Sequence, residues 1–156
     1  MKILFLDAQT TKENWLIEAQ IVYEKKISPF FKMEIRSVLK GKNSRDQALK
    51  KKQEDSKSLM AEILSDDFVV LFDEKWKEFD SIAFSKEIQK ILNSGKKRMI
   101  FLVGGSYGVN DQVFQKANLK VKLSSMTMNH GVAKVMALEQ IYRALTVINH
   151  IPYHNI

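Results

Sequence analysis

The chain has 156 residues, 45% hydrophobic and 28% charged, enough to bury one good core and close to the usual length of a single domain. It contains no cysteine, which excludes disulfides, thiol nucleophiles and the common structural zinc sites together. The formal net charge is +7, and no window approaches the roughly 18 to 20 uninterrupted apolar residues of a membrane span. Met1-Lys2 runs directly into "ILFL" without a leader-cleavage pattern, so one cytoplasmic domain over 1–156 is expected. The charge is uneven: +1 over residues 1–39, +4 over 40–57, −1 over 58–117 and +3 over 118–156. Such a balance favours a polyanionic partner, because phosphates attract dispersed Lys and Arg and release counterions on contact. The basic stretch "KGKNSRDQALKKKQEDSK" also reads as a solvated helix.

In chain order, "KILFLD" predicts a short buried strand, and Trp15, Leu16, Ala19, Val22 and Tyr23 recur at helical spacing until Ser28-Pro29. "FKMEIRS" alternates Phe31, Met33 and Ile35 as a strand. Ser44 is placed to cap a long polar helix whose apolar residues, Leu59, Met60, Ile63 and Leu64, gather at its far end. "FVVLF" predicts a third strand, and a helix from about Ser81 carries Phe84, Ile88, Ile91 and Leu92 until Gly95, suited to a left-handed C-cap. Then follow the strand "MIFLV", a glycine turn, a short helix to about Asn118, the strand "KVKLS" and a last helix over about 131–149. Strand and helix alternate throughout, which means an α/β fold with a mostly parallel sheet and helices on both faces.

The turn "GGSYG" follows a predicted strand and precedes a helix, where open α/β folds place ligands. It has neither the G-x-G-x-x-G nor the G-x-x-x-x-G-K-[ST] spacing, so dinucleotide and P-loop readings lack their phosphate cradle. A tight turn needing positive φ accounts for the glycines equally well. His150 and His154 have the i, i+4 spacing of a metal pair, but Pro152 between them disfavours one helix, and no metal is expected.

"LVGGSYG", "LSSMTMNHGVAKVMALEQIYRAL" and the terminal "HIPYHNI", in this order and spacing, resemble the RlmH family, SPOUT-class methyltransferases that modify pseudouridine in large-subunit ribosomal RNA. The resemblance spans essentially the whole chain, and its specific part is residues 101–154. It implies a SPOUT-type C-terminal trefoil knot, a homodimer and S-adenosylmethionine as cofactor. Carried onto this sequence, the cofactor loops are Phe72, Gly105 and the run Leu123, Ser124, Ser125, Met126, Thr127 and Met128. The acceptor side is His130, Arg143, Tyr153 and His154, whose individual roles stay open between proton removal and holding the base. The reaction implied is methyl transfer to N3 of a pseudouridine in 23S rRNA on the assembled ribosome.

Departures from the family pattern are Lys134 where arginine is usual, Asn155 where a basic residue is usual, Asn129 in place of a common proline and Trp76 in place of glycine. Because lysine lacks the bidentate fork for phosphate, Lys134 bears on RNA docking in this reading. A noncatalytic RNA- or ribosome-binding protein also accounts for the charge, but does not need the glycine turn and the "LSSMTM" loop together. A nucleotide-binding regulatory domain accounts for the glycines but not for the basic tail.

Overall fold

The computed structural model describes residues 1–8, 13–38 and 47–153. Five strands form one all-parallel sheet in the order β2-β1-β4-β3-β5: β1 (Lys2–Asp7), β2 (Met33–Ser37), β3 (Phe68–Phe72), β4 (Arg98–Val103) and β5 (Leu119–Val121). The helices are α1 (Asn14–Ile27), α2 (Ala48–Ala61), α3 (Ser81–Leu92), α4 (Asp111–Lys116) and α5 (His130–Ile148).

The period-2 side-chain alternation of a strand divides the core. Ile3, Phe5, Val70, Phe72, Met99, Phe101 and Val103 face one layer, packed with Ile27, Phe84, Ile88, Leu138 and Ile141 of α1, α3 and α5. Leu4, Leu6, Val69, Leu71, Ile100 and Leu102 face the other, against Leu59 of α2 and Val113 of α4. Both faces are covered, so β1, β3 and β4 are apolar almost without interruption.

The predicted order of elements holds, with local differences. Ser44 lies outside the described residues, and α2 begins at Ala48 with Gln47, which makes no side-chain cap, before it. β5 is shorter than "KVKLS": only Leu119–Val121 pair with β3, and the chain then turns away at Lys122 and Leu123. Gly95 has φ +76°, as a left-handed C-cap requires. In the glycine turn the positive φ falls on Gly108, at +72°.

α5 ends in a Schellman arrangement: the His150 N–H donates to the Val147 carbonyl, and the Ile151 N–H to that of Thr146. His150 occupies the position glycine usually takes, with φ +55°, the one positive value at a non-glycine residue among those described. The sheet reverses its winding between β1 and β4, and the carboxyl ends of these strands, Asp7 and Val103, lie side by side. Open α/β sheets place their sites outside such a point.

Candidate active site

Outside the carboxyl ends of β3, β4 and β5 lies a cleft of about 570 Å³. Three segments far apart in sequence build it: Phe72 and the following Asp73, Glu74 and Lys75; the turn from Val103 to Val109; and Leu123, Ser124, Met126, Thr127 and Met128 leading to His130. Phe72, Gly105 and His130, with five of the six residues of the predicted loop, thus meet in one cavity. The sixth, Ser125, is not in its lining; its hydroxyl donates to Glu78, tying the loop to the segment after β3. That segment is further fixed by Asp73 N–H to the Val121 carbonyl, at 2.9 Å, and Lys122 N–H to that of Lys77, at 3.0 Å.

Asn129 caps α5, its Oδ1 accepting the Gly131 N–H at 2.8 Å, so this departure supplies the cap with a side chain instead of a proline. Trp76 sits edge-on to Phe114, a cleft-lining residue of α4, and Lys120 Nζ lies 5.2 Å from the Trp76 ring and 4.8 Å from the Phe114 ring. This cation–π stack holds the loop after β3 against α4, where glycine has nothing to pack.

The glycines serve the protein's own packing. A Cβ on Gly104 would lie 2.8 Å from Val109 Cγ1, and one on Gly105 would lie 2.5 Å from Asp55 Oδ2. Gly105 therefore offers the cleft its backbone, while its missing side chain makes room for the buried carboxylate of Asp55, which pairs with Lys51 at 3.1 Å.

Beneath the turn lies a second buried ion pair, Lys134 Nζ to Asp7 Oδ2 at 2.7 Å, with side chains 1% and 0% exposed. Ser37 Oγ is 3.5 Å from the same ammonium. This corrects the reading of Lys134: a lysine this deep cannot touch an RNA phosphate, and its exchange for arginine concerns the protein interior. Lys51 is likewise buried, so not every cation of the 40–57 segment faces a partner.

His130 stands between cleft and charges. Burial holds its imidazole below the ordinary value; the Asp7 carboxylate draws it up and the Lys134 ammonium pushes it down. A hydrogen bond to the Gly104 backbone favours the protonated ring, and Nε2 has no hydrogen-bond partner among the described residues. The bond is therefore Nδ1–H donating to the Gly104 carbonyl, which leaves Nε2 buried and without a partner among the described residues.

Arg143 and Tyr153 do not join His130. They lie at the opposite end of α5, 13 residues and about 20 Å along the helix. Arg143 Nε and Nη2 both donate to Glu139 Oε1, at 2.9 and 2.6 Å, and this raises the guanidinium further above its ordinary value. Its guanidinium carbon is 4.8 Å from the Tyr153 ring centroid, and Tyr153 meets Tyr142 edge-on at 4.7 Å. Lys26 Nζ lies 5.3 to 5.6 Å from the rings of Tyr23, Tyr142 and Tyr153. Tyr153 is thus docked rather than frayed; His154 and Asn155 lie outside the described residues.

Residues not singled out from sequence also line the cleft, including Asp73, Glu74, Tyr107, Asp111 and Lys52 of α2. Asp73 had a signal, the exit "LFD" of the third strand. Lys52 had none, because only the tertiary approach of α2 brings it there.

A family model described as "Predicted SPOUT methyltransferase" matches residues 1–154. A protein of Bdellovibrio bacteriovorus, named Ribosomal RNA large subunit methyltransferase H, is 50% identical over 156 residues, covering 100% of both chains. One of the same name from Parabacteroides distasonis is 36% identical over 157 residues, covering 99% of each. The chain belongs to this methyltransferase family. A solved structure titled "Crystal structure of an hypothetical protein" aligns with 94% of the chain and 68% of its own, with a TM-score of 0.53 and 13% identity, a likeness of fold. Among the described residues no group of three or more His, Cys, Asp or Glu is placed to hold a metal, and no helix is long and apolar enough to cross a membrane.

Proposed function

We propose that this chain, a single SPOUT domain over 1–156 with the knotted C-terminal part its family implies, methylates N3 of a pseudouridine in 23S rRNA on the assembled ribosome, in the cytoplasm. The observation that carries the reading is the convergence of Phe72, Gly105 and the 123–128 loop on one cleft with His130 at its edge. S-adenosylmethionine fits that cleft. Its volume lies within the usual range for small-molecule sites, about 300 to 1,000 Å³. Phe72, Leu123 and Met128 offer apolar walls, loop backbone groups can read an adenine edge, and Asp73, Glu74 and Asp111 suit a cationic ligand. When bound, the sulfonium supplies the methyl group and is itself an excellent leaving group, so alignment carries much of the acceleration.

The residues of the chain then have to bring in the base and remove its proton. His130 is assigned to removing the proton, as an imidazole at the edge of the cleft that burial holds below its ordinary value and so neutral. Arg143 and Tyr153 are suited to bringing in the base, as a cation and an aromatic face held together at the surface. Because these groups lie about 20 Å apart along one helix, a working site takes His130 and the cofactor loops from one subunit and Arg143, Tyr153 and His154 from the other. A homodimer follows. Trp15, Ile21 and Val22 of α1 and Val132 of α5, all exposed in one chain, are apolar surface for that contact.

The test is an assay with labelled cofactor on intact ribosomes and on purified rRNA, followed by mapping of the modified base. Label on N3 of a pseudouridine, from ribosomes in preference to free rRNA, is the expected result. Label on another base would overturn the assigned acceptor. No cofactor binding in calorimetry would favour a noncatalytic RNA-binding protein.

A further inference from the structure

In the last turn of α1, the exposed Lys26 places its Nζ 5.4 Å from the ring centroid of Tyr23, 5.3 Å from that of Tyr142 and 5.6 Å from that of Tyr153. The three rings come from α1, from α5 and from the segment after it. No carboxylate among the described residues lies within ion-pair distance of this ammonium: Glu139 receives two donors from Arg143, and Glu24 accepts from Gln20 at 3.2 Å. Rings orient a cation through their quadrupole but leave its charge in place, whereas a carboxylate cancels it. Arg143 is therefore the compensated cation of this cluster and Lys26 the uncompensated one. Cations in the last turn complement the helix dipole, which accounts for a lysine here. It does not account for the rings: Lys25, equally placed for the dipole, lies over none among the described residues. Val22, one turn earlier on the same face, is part of the exposed apolar surface offered to a second subunit, so Lys26 stands at the rim of that contact, where polar groups stay accessible.

We propose that Lys26 is a binding residue for the acceptor strand: its ammonium takes a phosphate next to the target nucleotide, beside the Arg143 and Tyr153 groups that meet the base. The inference rests on the methyl-transfer reading above, which gives the base to Arg143 and Tyr153 but assigns nothing to the phosphates on either side of it. A base drawn out of its stack brings its own backbone within reach of the groups that hold it. Lysine suits the task as a compact point charge with three rotatable donors. Ordering of its side chain by three rings lowers the entropy lost when the phosphate binds. A contact of this kind positions the strand without reading its sequence, so Lys26 acts on the affinity for RNA rather than on the methyl transfer itself.

The experiment compares Lys26→Met, Lys26→Arg and Lys25→Met with the wild type, all in the full-length protein. Binding to intact ribosomes is titrated across a salt series, methylation is followed at saturating cofactor, and cofactor affinity is measured by calorimetry. Lys26→Met keeps an apolar stem for the rings and removes the charge. It should flatten the slope of log affinity against log salt by about 0.7 to 0.9, the value of one phosphate contact. At low salt the KM for ribosomes should rise about fivefold, as for an exposed ion pair at the stronger end of its range. The kcat and the cofactor affinity should hardly change. Lys26→Arg should keep the slope, and Lys25→Met should alter it far less than Lys26→Met does.

A flattened slope in Lys26→Met, restored in Lys26→Arg, supports the proposal, because a lysine that only pins Tyr153 releases no counterions. An unchanged slope overturns it, with or without a lower kcat, and leaves the methyl-transfer reading intact. Equal flattening in Lys25→Met overturns it too, by reducing Lys26 to general surface charge. Wild-type protein that neither binds nor methylates ribosomes overturns the methyl-transfer reading, and this role for Lys26 with it.

Discussion

At its amino end, α5 presents His130 to a cleft that one chain encloses, above two buried ion pairs with no net charge between them. At its carboxyl end, the same helix presents Arg143 and Tyr142 to Tyr153 and Lys26 in a cluster of rings and cations near the surface. The first region is finished: its walls are stitched together by backbone hydrogen bonds, and the charges buried beneath it are paired. The second gathers rings and cations of the kind that bind bases and phosphates, away from the cleft. On the proposed reading, cofactor binding belongs to one chain and acceptor binding to two, and each region can be broken separately.

The largest effect is expected from Gly105→Val. Its side chain runs into the Asp55 carboxylate rather than into the cleft, so it damages the turn from below and disturbs the Lys51 pair. Overpacking and a broken buried pair together cost about 2 to 4 kcal/mol, so both cofactor affinity in calorimetry and the urea midpoint should fall. Loss of affinity at an unchanged midpoint would mean that the side chain reaches the cleft instead. At the other end, deleting residues 152–156 should leave cofactor affinity nearly intact but reduce ribosome methylation at least about tenfold, or roughly 1.4 kcal/mol of transition-state stabilisation. A full rate would make the tail only a terminus.

Smaller effects sharpen the contrast. His130 is held below its ordinary value by burial, so the unfolded chain takes up a proton there before the folded one does. Its contribution is fully present above the unfolded value, about 6.5, and is lost as pH falls from there through the lower folded value. Thermal melts should accordingly show His130→Gln to be less acid-sensitive than the wild type in that window. At the tail end, His150→Gly relieves a left-handed residue and should stabilise the chain by about 0.5 to 1 kcal/mol in denaturant titrations, without altering cofactor affinity.

Much of the finished region was legible. Buried parallel strands announce themselves as continuous apolar runs, and glycines marked the ends of α3 and β4. The 123–128 loop came from the family resemblance, since nothing in its composition points to a ligand. The charges beneath the cleft were not read, because a lysine in a basic chain is ordinarily solvated. Yet Lys134 lies on the same stripe as Ala137, Leu138, Ile141, Ala144 and Leu145, at spacings of three and four, and helical periodicity alone places it inside. Asp7 had a similar signal as the last residue of an otherwise buried strand. Their pairing, like that of Lys51 with Asp55 or the reach of Lys52 to the cleft, depends on how helices sit on the sheet, and no local pattern encodes that.

The division of labour between the two ends is tested most directly by mixing two inactive variants. Thr127→Pro removes a loop N–H at an exposed residue lining the cleft and should lose the cofactor without disturbing the core; deletion of 152–156 keeps the cofactor and loses the acceptor side. After subunit exchange, verified by mass, each heterodimer should contain one complete site, and ribosome methylation should recover to about a quarter of the wild-type rate. No recovery among demonstrated heterodimers would contradict the account and place the whole site within one chain.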